Sequence, residues 1–411
     1  MQFRPLSGVV CIEVGHDVSA AFGARLLVDL GADVIKLEPP VVGDAGRREP
    51  PLVSAAENAS ALFAYLNYGK RSVTLDTAKP AGAALLEDLL RRSDLVICAH
   101  DESHALPQAL ERCDPVTRPV VVCVSPHGLL GPRSRQPSSP FVLQHAAGFA
   151  FHQASPVRDP EATPPTAGAD MEGEMAIGIV VANAALWALG AVEPGEPKPF
   201  VDLSAEDVYA YLLVEPFADW QAGLATRERL RDPAKPSMVA GGLVWLLPCA
   251  DGAVMVSPRE DHQWERWVQV MGRPAWTLDA ASCGDRTIRA RNATLIGQKM
   301  AEWSALQKTQ DVFANAQAQR VACFPVSSAK DMVTNAQLRA RDFYAKLRLS
   351  PNVVVPAAGL PFEVRTTGGA MLARGREVAA PALGEGNRTI LADMLGLART
   401  DIALLEREGV I

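Results

Sequence analysis

The chain has 411 residues, 48% of them apolar, and a formal charge of −7. That length exceeds a single hydrophobic core and suits about two domains of roughly 100–200 residues each. The acidic balance and the lack of any long Lys/Arg run argue against a nucleic-acid partner, because phosphate backbones are held by clustered cations; a local basic pocket for one small anion remains compatible with it.

In chain order, β-branched runs at residues 9–14 and 31–40 flank a segment at 19–30 in which Ala20, Phe22, Ala24, Leu27 and Leu30 form one apolar stripe. This reads as strand, helix, strand. A βαβ unit implies a parallel sheet covered by helices, whose ligands collect at the carboxyl ends of the strands. The loops at His16-Asp17-Val18 and at residues 37–44 are therefore site candidates. A helix at 81–92 and strands at 94–98 and 120–124 continue the α/β pattern, and Pro/Ser-rich loops follow at 126–140 and 154–165. A long apolar helix is expected at 171–189, a short strand at 200–203, one helix at 205–220 and a polar linker at 227–236.

From residue 239 the texture changes to short strands at 242–247 and 253–257, with Asp251-Gly252 as a hairpin turn signal. Helical patterns at 262–271 and 290–316 and a strand at 324–326 complete a smaller α+β domain. Extended segments, a helix at 389–395 and a closing helix at 401–410 end the chain. The expected division is a large Rossmann-like parallel-sheet domain in 1–225, a small α+β domain in 237–330 and a C-terminal segment in 331–411.

The best candidate for a membrane span, 175–189, is short of about 18 residues and interrupted by Gly178 and Asn183, so a soluble chain with no membrane partner is expected. The N-terminus lacks a basic n-region and apolar h-region, which points to a cytoplasmic location. Seven cysteines without CxxC spacing indicate neither a disulfide framework nor a zinc site, and Cys11, Cys98 and Cys123 sit in apolar strand-like runs as small hydrophobes.

Four segments carry a resemblance: Pro5-Leu6-Ser7-Gly8; residues 31–40 with Gly43-Asp44 and Arg47; Asn67-Tyr68-Gly69-Lys70-Arg71-Ser72-Val73 on to Asp76; and Asp170 opening a helix. Together they resemble the class III (CaiB/BaiF) CoA-transferases, the family of formyl-CoA transferase, the carnitine and bile-acid CoA-transferases and alpha-methylacyl-CoA racemase. Shorter echoes, such as Gly359-Leu360-Pro361-Phe362 and Leu383-Gly384-Glu385, extend the match along the whole chain. The resemblance implies an interlocked homodimer, with residues 331–411 returning to the large domain, and coenzyme A as part of an acyl-CoA substrate, with a free carboxylic acid as acceptor and no metal.

It also implies that Asp170 is a catalytic nucleophile. By residue type alone, an Asp between a Pro/Gly/Ala loop and an apolar helix is an N-cap. A carboxylate suits nucleophilic attack because it is ionised at neutral pH without a separate base. Gly173 allows close approach or serves packing, and Glu172 and Glu174 place favourable charge in a first helical turn. Three loops match CoA-contacting positions: His16, Asp17 and Val18; Leu75, Asp76, Thr77 and Ala78; and Ala99, His100 and Asp101. Lys70 and Arg71 match the motif as ligand contacts or solvated cations. Trp245 and Phe151 either line a pocket or fill a core.

Several positions depart from the family pattern. Cys98-Ala99-His100-Asp101-Glu102 replaces the usual Glu-Asn-Phe and Pro-Gly, and Pro39 replaces an Arg, leaving Arg47, Arg48, Arg133 and Arg135 as cations for the CoA phosphates. No Gly-rich closing loop stands at 238–247, so oxalate or formyl specificity is not expected. An acyl-CoA racemase acting by 2-methylacyl-CoA epimerisation is the alternative activity. It needs a His that this chain replaces with Ser139, and His145 lies about six residues away. A non-catalytic acyl-CoA-binding paralogue is the alternative from another class.

Overall fold

The computed structural model describes residues 3–53, 59–99, 105–152, 162, 167–168, 171–223, 237–239, 242–369 and 374–411. Six parallel strands build its main sheet: β1 (Val10–Val14), β2 (Asp33–Glu38), β3 (Arg71–Thr74), β4 (Leu95–Ala99), β5 (Val120–Ser125) and β6 (Phe200–Ser204). Their order is β3-β2-β1-β4-β5-β6, so the chain reverses its direction of travel across the sheet between β1 and β4. The helices interleaved with these strands are α1 (Val18–Asp29), α2 (Ala61–Asn67), α3 (Pro80–Arg91), α4 (Ala105–Glu111), α5 (Pro140–Ala146), α6 (Phe149–His152) and α7 (Glu172–Gly190), with α8 (Ala205–Tyr211) after β6.

The strands are nearly continuous apolar runs because both faces of the sheet are covered. Alternate side chains enter opposite cores. Val120, Val122 and Val124 pack with Ala24 and Leu27 of α1 and Val181 and Ala185 of α7. Val121 and Cys123 join Leu86, Leu89 and Leu90 of α3, together with Ile390, Leu391 and Ile402 from the C-terminal helices Asn387–Asp393 and Arg399–Arg407. Cys11, Cys98 and Cys123 are free and buried, as their apolar strand setting implies.

Helix α7 runs unbroken for 19 residues through Gly178 and Asn183. By length and composition it could cross a membrane, yet its Ile177, Val181, Ala185 and Ala188 are buried in the sheet's core. Gly178 is a contact point rather than a break: a Cβ there would stand 2.7 Å from Phe22 and 2.9 Å from the Ser19 carbonyl. Gly23 on α1 makes the reciprocal approach to Val181. The close crossing brings the start of α7 beside the start of α1, and tertiary packing outweighs the roughly 1 kcal/mol that a mid-helix glycine costs.

The chain divides into two compact units, one of Met1–Gln153, Pro165–Thr226 and Ala336–Ile411, the other of Ala154–Pro164 and Arg227–Asn335. The first also holds a three-stranded sheet, β12-β11-β13, which the sequence reading left as extended segments. Its strands are β11 (Tyr344–Ser350), β12 (Val353–Ala358) and β13 (Glu377–Ala379), and Ala345, Leu347 and Val378 pack on Ala64 and Tyr68 of the α2 region. The second unit carries an antiparallel sheet ordered β10-β9-β8-β7, from β7 (Ser237–Val239), β8 (Gly242–Cys249), β9 (Gly252–Val256) and β10 (Cys323–Pro325). Trp245 fills this unit's core with Trp264 and Trp267, and its indole N–H donates to the Ala293 carbonyl at 3.0 Å.

Three sequence expectations shift. The hairpin turn falls on Ala250-Asp251, because Cys249 already pairs with Gly252. The expected helix at 290–316 is three, Arg286–Arg291, Ala293–Ser304 and Thr309–Ala318. The segment 205–220 forms α8 and a second helix, Val214–Gln221, with Leu213 outside helical geometry. Pro216 explains that break, since a residue without an amide hydrogen is accommodated in a first turn and not in a helix interior.

Candidate active site

At the carboxyl edge of the sheet, where β1 and β4 part company, a cleft of about 330 Å³ opens. This reversal of strand order is where an open α/β sheet places its ligand. His16 and Asp17 follow β1, Ala99 ends β4, Ser125 ends β5, and Glu174, Ile177 and Tyr209 close the cleft from α7 and α8. Gly15, at φ 98°, makes the turn out of β1, and a Cβ there would come within 3.2 Å of Ala99.

The loop after β1 is anchored by a buried ionic network. Glu13 and Lys36 are register partners on β1 and β2, and the ammonium lies 2.8 Å from the carboxylate. Lys36 also reaches Asp44 at 2.7 Å, and Lys70 reaches Glu13 at 2.5 Å. Asp44 holds the His16 Nδ1 at 2.6 Å, while Glu49 approaches Nε2 at 3.2 Å. The Asp44 hydrogen bond, working against burial, raises the His16 pKa above its ordinary value. Burial alone would raise Glu13 and Asp44, but Lys36 and Lys70 hold Glu13 low, and His16 and Lys36 hold Asp44 low. Glu38 is likewise lowered against burial, by Arg47 and Ser72.

These shifts fix a pH dependence. Carboxyls with depressed folded pKa values contribute stability that is complete above about pH 4.5 and is withdrawn as the pH falls through the folded values. Thermal midpoints are therefore expected to fall steeply below about pH 4 as Glu13, Glu38 and Asp44 take up protons. A midpoint unchanged at about pH 3 contradicts the network's role.

Inside the cleft the pattern reverses. Asp17 caps α1, its Oδ1 accepting the Ala20 amide at 2.8 Å, yet burial raises its pKa. Glu174 is buried with Oε2 unpartnered, and burial followed by the Asp17 charge raises it too. Burial, then Glu174, pushes Tyr209 up to about 12. The Tyr209 hydroxyl lies against Gly173, where any Cβ would overlap it, so this glycine serves close approach.

Asp170, His100 and Asp101 lie outside the described residues, as do most of the loop at 154–165 and the linker at 227–236. Described residues lie on both sides of Asp170 in the chain. On one side the Gly168 amide donates to Gln144 Oε1 at 2.8 Å, and on the other Glu174 lines the wall. The N-cap of α7 is Met171, which makes no side-chain capping bond. Asp170 thus precedes the cap position that its residue type suggested.

Of the remaining sequence candidates, Val18 opens α1 beside a small recess shared with Asp44 and Phe63. Leu75, Asp76, Thr77 and Ala78 are not brought to the cleft. Leu75 is buried in the second core, and Asp76 accepts the Ala78 amide through Oδ1 while its own amide donates to the Val410 carbonyl at 2.7 Å. Lys70 is no solvated cation: it is buried, and besides Glu13 it donates to Asn67 Oδ1 at 2.8 Å and the Ala21 carbonyl at 2.9 Å. Arg71 pairs with Asp33. Among the arginines considered for the CoA phosphates, Arg47 forks onto Glu38 at 2.7 Å and Arg133 pairs with Glu206, whereas Arg48 and Arg135 are exposed.

Ser139 caps α5 and lines the cleft, whereas His145 bonds the Phe141 carbonyl and packs tilted against its ring, with centroids 4.3 Å apart. No group of three or more metal-ligating side chains occurs among the described residues. Sequence reasoning missed Ser125 and Tyr209 as wall residues and read Glu174 as favourable charge in a first helical turn. Position at the end of β5 could have signalled Ser125, while nothing local signals Tyr209.

The family model for CoA-transferase family III matches residues 6–387. A succinate–glutarate CoA-transferase of Agrobacterium fabrum is 26% identical over 404 residues, covering 96% of this chain and 97% of its own. A formyl-CoA:oxalate CoA-transferase of Streptomyces avermitilis is 27% identical over 429 residues, covering 99% of this chain and all of its own. Among solved structures, a CaiB/BaiF family protein from Brucella suis has a TM-score of 0.79 at 22% identity, covering 96% of this chain and 100% of its own.

Proposed function

The chain belongs to CoA-transferase family III, and from that membership we propose that it moves CoA from an acyl-CoA thioester to a free carboxylic acid, with Asp170 as the covalent nucleophile. The observation that carries this reading is the cleft at the carboxyl ends of β1 and β4, whose wall includes Glu174, four residues beyond Asp170 at the start of α7. The curated CoA-transferases that match nearly the whole chain support the reaction class.

The steps balance without a metal or external base. A carboxylate oxygen of Asp170 attacks the thioester carbonyl, the C–S bond breaks, and CoA thiolate leaves a mixed anhydride. The thiolate then attacks the aspartyl carbonyl, releasing the donor acid and forming an aspartyl-CoA thioester. An acceptor carboxylate attacks that carbonyl and expels the thiolate, giving a second anhydride. The thiolate attacks the acceptor's acyl carbon, which forms the new acyl-CoA and restores Asp170. Backbone N–H groups at the start of α7, free of a side-chain cap, are suited to the oxyanions, an effect worth roughly 3–4 kcal/mol per donor in comparable sites.

The acting species we propose is a cytoplasmic homodimer, interlocked as in the family. Mixing the protein with a panel of acyl-CoA donors and carboxylic acids tests the activity. The expected result is a new thioester of the acceptor, formed without net release of CoA. Deuterium incorporation at Cα of a 2-methylacyl-CoA in the absence of any acceptor acid would favour the racemase instead.

A further inference from the structure

We infer that the acyl chain seated in this cleft carries a hydroxyl substituent, so that hydroxy acids rather than plain aliphatic ones are the substrate class. The inference rests on the transferase reading and narrows it. Four segments bring to the cleft polar atoms that make no hydrogen bond within the protein: Ser125 Oγ at the end of β5, Ser138 Oγ ahead of α5, Glu174 Oε2 on α7 and the Tyr209 hydroxyl on α8. Tyr209 is fully buried, Ser125 is 3% exposed and Glu174 9%. Gln144 stands close to the Tyr209 hydroxyl, but its Oε1 accepts the Gly168 amide and the two side chains form no hydrogen bond of proper geometry.

Buried polar groups in folded proteins are almost always paired, so a set of unpaired ones around one cleft marks where a ligand's own polar group completes the bonding. A hydroxyl fits this set because it both donates and accepts. It can donate to the Glu174 carboxyl oxygen and accept from Ser125, Ser138 or Tyr209, whereas a carboxylate only accepts and would lie against Glu174 and Asp17. A plain methylene in its place shuts these atoms away with no partner. That is the basis on which a site built to hydrogen-bond a substrate hydroxyl rejects the analogue lacking it. The cleft's size, at the lower end for small-molecule sites of roughly 300–1,000 Å³, suits a short chain.

Butyryl-CoA, its 2-hydroxy and 3-hydroxy derivatives and succinyl-CoA share an acyl chain of the same length and test this directly. Binding by calorimetry and transfer to a common acceptor are both measured. One of the hydroxy esters is expected to be preferred over butyryl-CoA by at least about tenfold in Kd and in kcat/KM, and Ser125→Ala or Tyr209→Phe to narrow that preference by about threefold or more. Equal or better use of butyryl-CoA overturns the inference, and so does a preference for succinyl-CoA, which would assign the hydroxyls of the wall to a carboxylate; both results leave the transferase reading intact. A hydroxy preference that survives undiminished in both variants overturns the role given to these side chains. Preferential binding of a hydroxy ester without transfer supports the inference and overturns the transferase reading, while failure to bind any of the esters overturns both.

Discussion

Asp170→Ala is expected to lower CoA transfer by on the order of 10⁴-fold or more, the usual consequence of deleting a covalent nucleophile, with folding unchanged. The α7 cap position is Met171, the preceding backbone is tied through Gly168 to Gln144, and the helix is fixed by its crossing with α1. Far-ultraviolet circular dichroism, melting temperature and acyl-CoA binding should therefore match the unaltered protein while turnover disappears. Asp170→Asn keeps the shape and removes the charge, and the same loss is expected. A variant that retains more than about a tenth of the rate would reassign the chemistry.

The second large effect is on stability. Lys36→Met should destabilise the protein by about 3–5 kcal/mol, because it leaves Glu13 and Asp44 buried as carboxylates that have lost a shared cation. Methionine fills nearly the same volume, so the loss reports charge rather than packing. Chemical denaturation at about pH 7 measures it, and the difference between variant and parent should shrink below about pH 4, as Glu13 and Asp44 take up protons. Equal stability at neutral pH would mean that the network contributes little. Transfer should fall as well, since Asp44 no longer fixes His16 and the turn that leads to Asp17.

Much of this was legible in the chain itself. The β1-α1-β2 unit declared itself through its change of period from two to 3.6, and the cleft lies where a parallel sheet predicts it. The ionic network was also readable in principle: Glu13 and Lys36 each interrupt an apolar strand, and opposite charges in neighbouring buried strands have to meet. Lys70 was harder, because it precedes β3 and an exposed loop lysine reads the same way.

Long-range placement was not legible. Tyr209 reaches the start of α7 from a helix on the far side of β6, and only the missing side chain of Gly173 hints at such a neighbour. Nothing in the Leu75-Asp76 motif announces that the fold buries Leu75 in the second core and joins the Asp76 amide to the Val410 carbonyl. Local pattern specifies which face a residue takes, and contacts between distant segments decide what it meets there.

The most direct test of the account follows the oxygen atoms. When an acceptor acid labelled with ¹⁸O in both carboxylate positions is taken through a single turnover, the anhydride steps require one acceptor oxygen to remain on the enzyme. Mass spectrometry of the peptide containing Asp170 should then show one heavy oxygen on that residue. Product formation with an unlabelled Asp170, or with label on another side chain, would contradict a covalent role for this carboxylate.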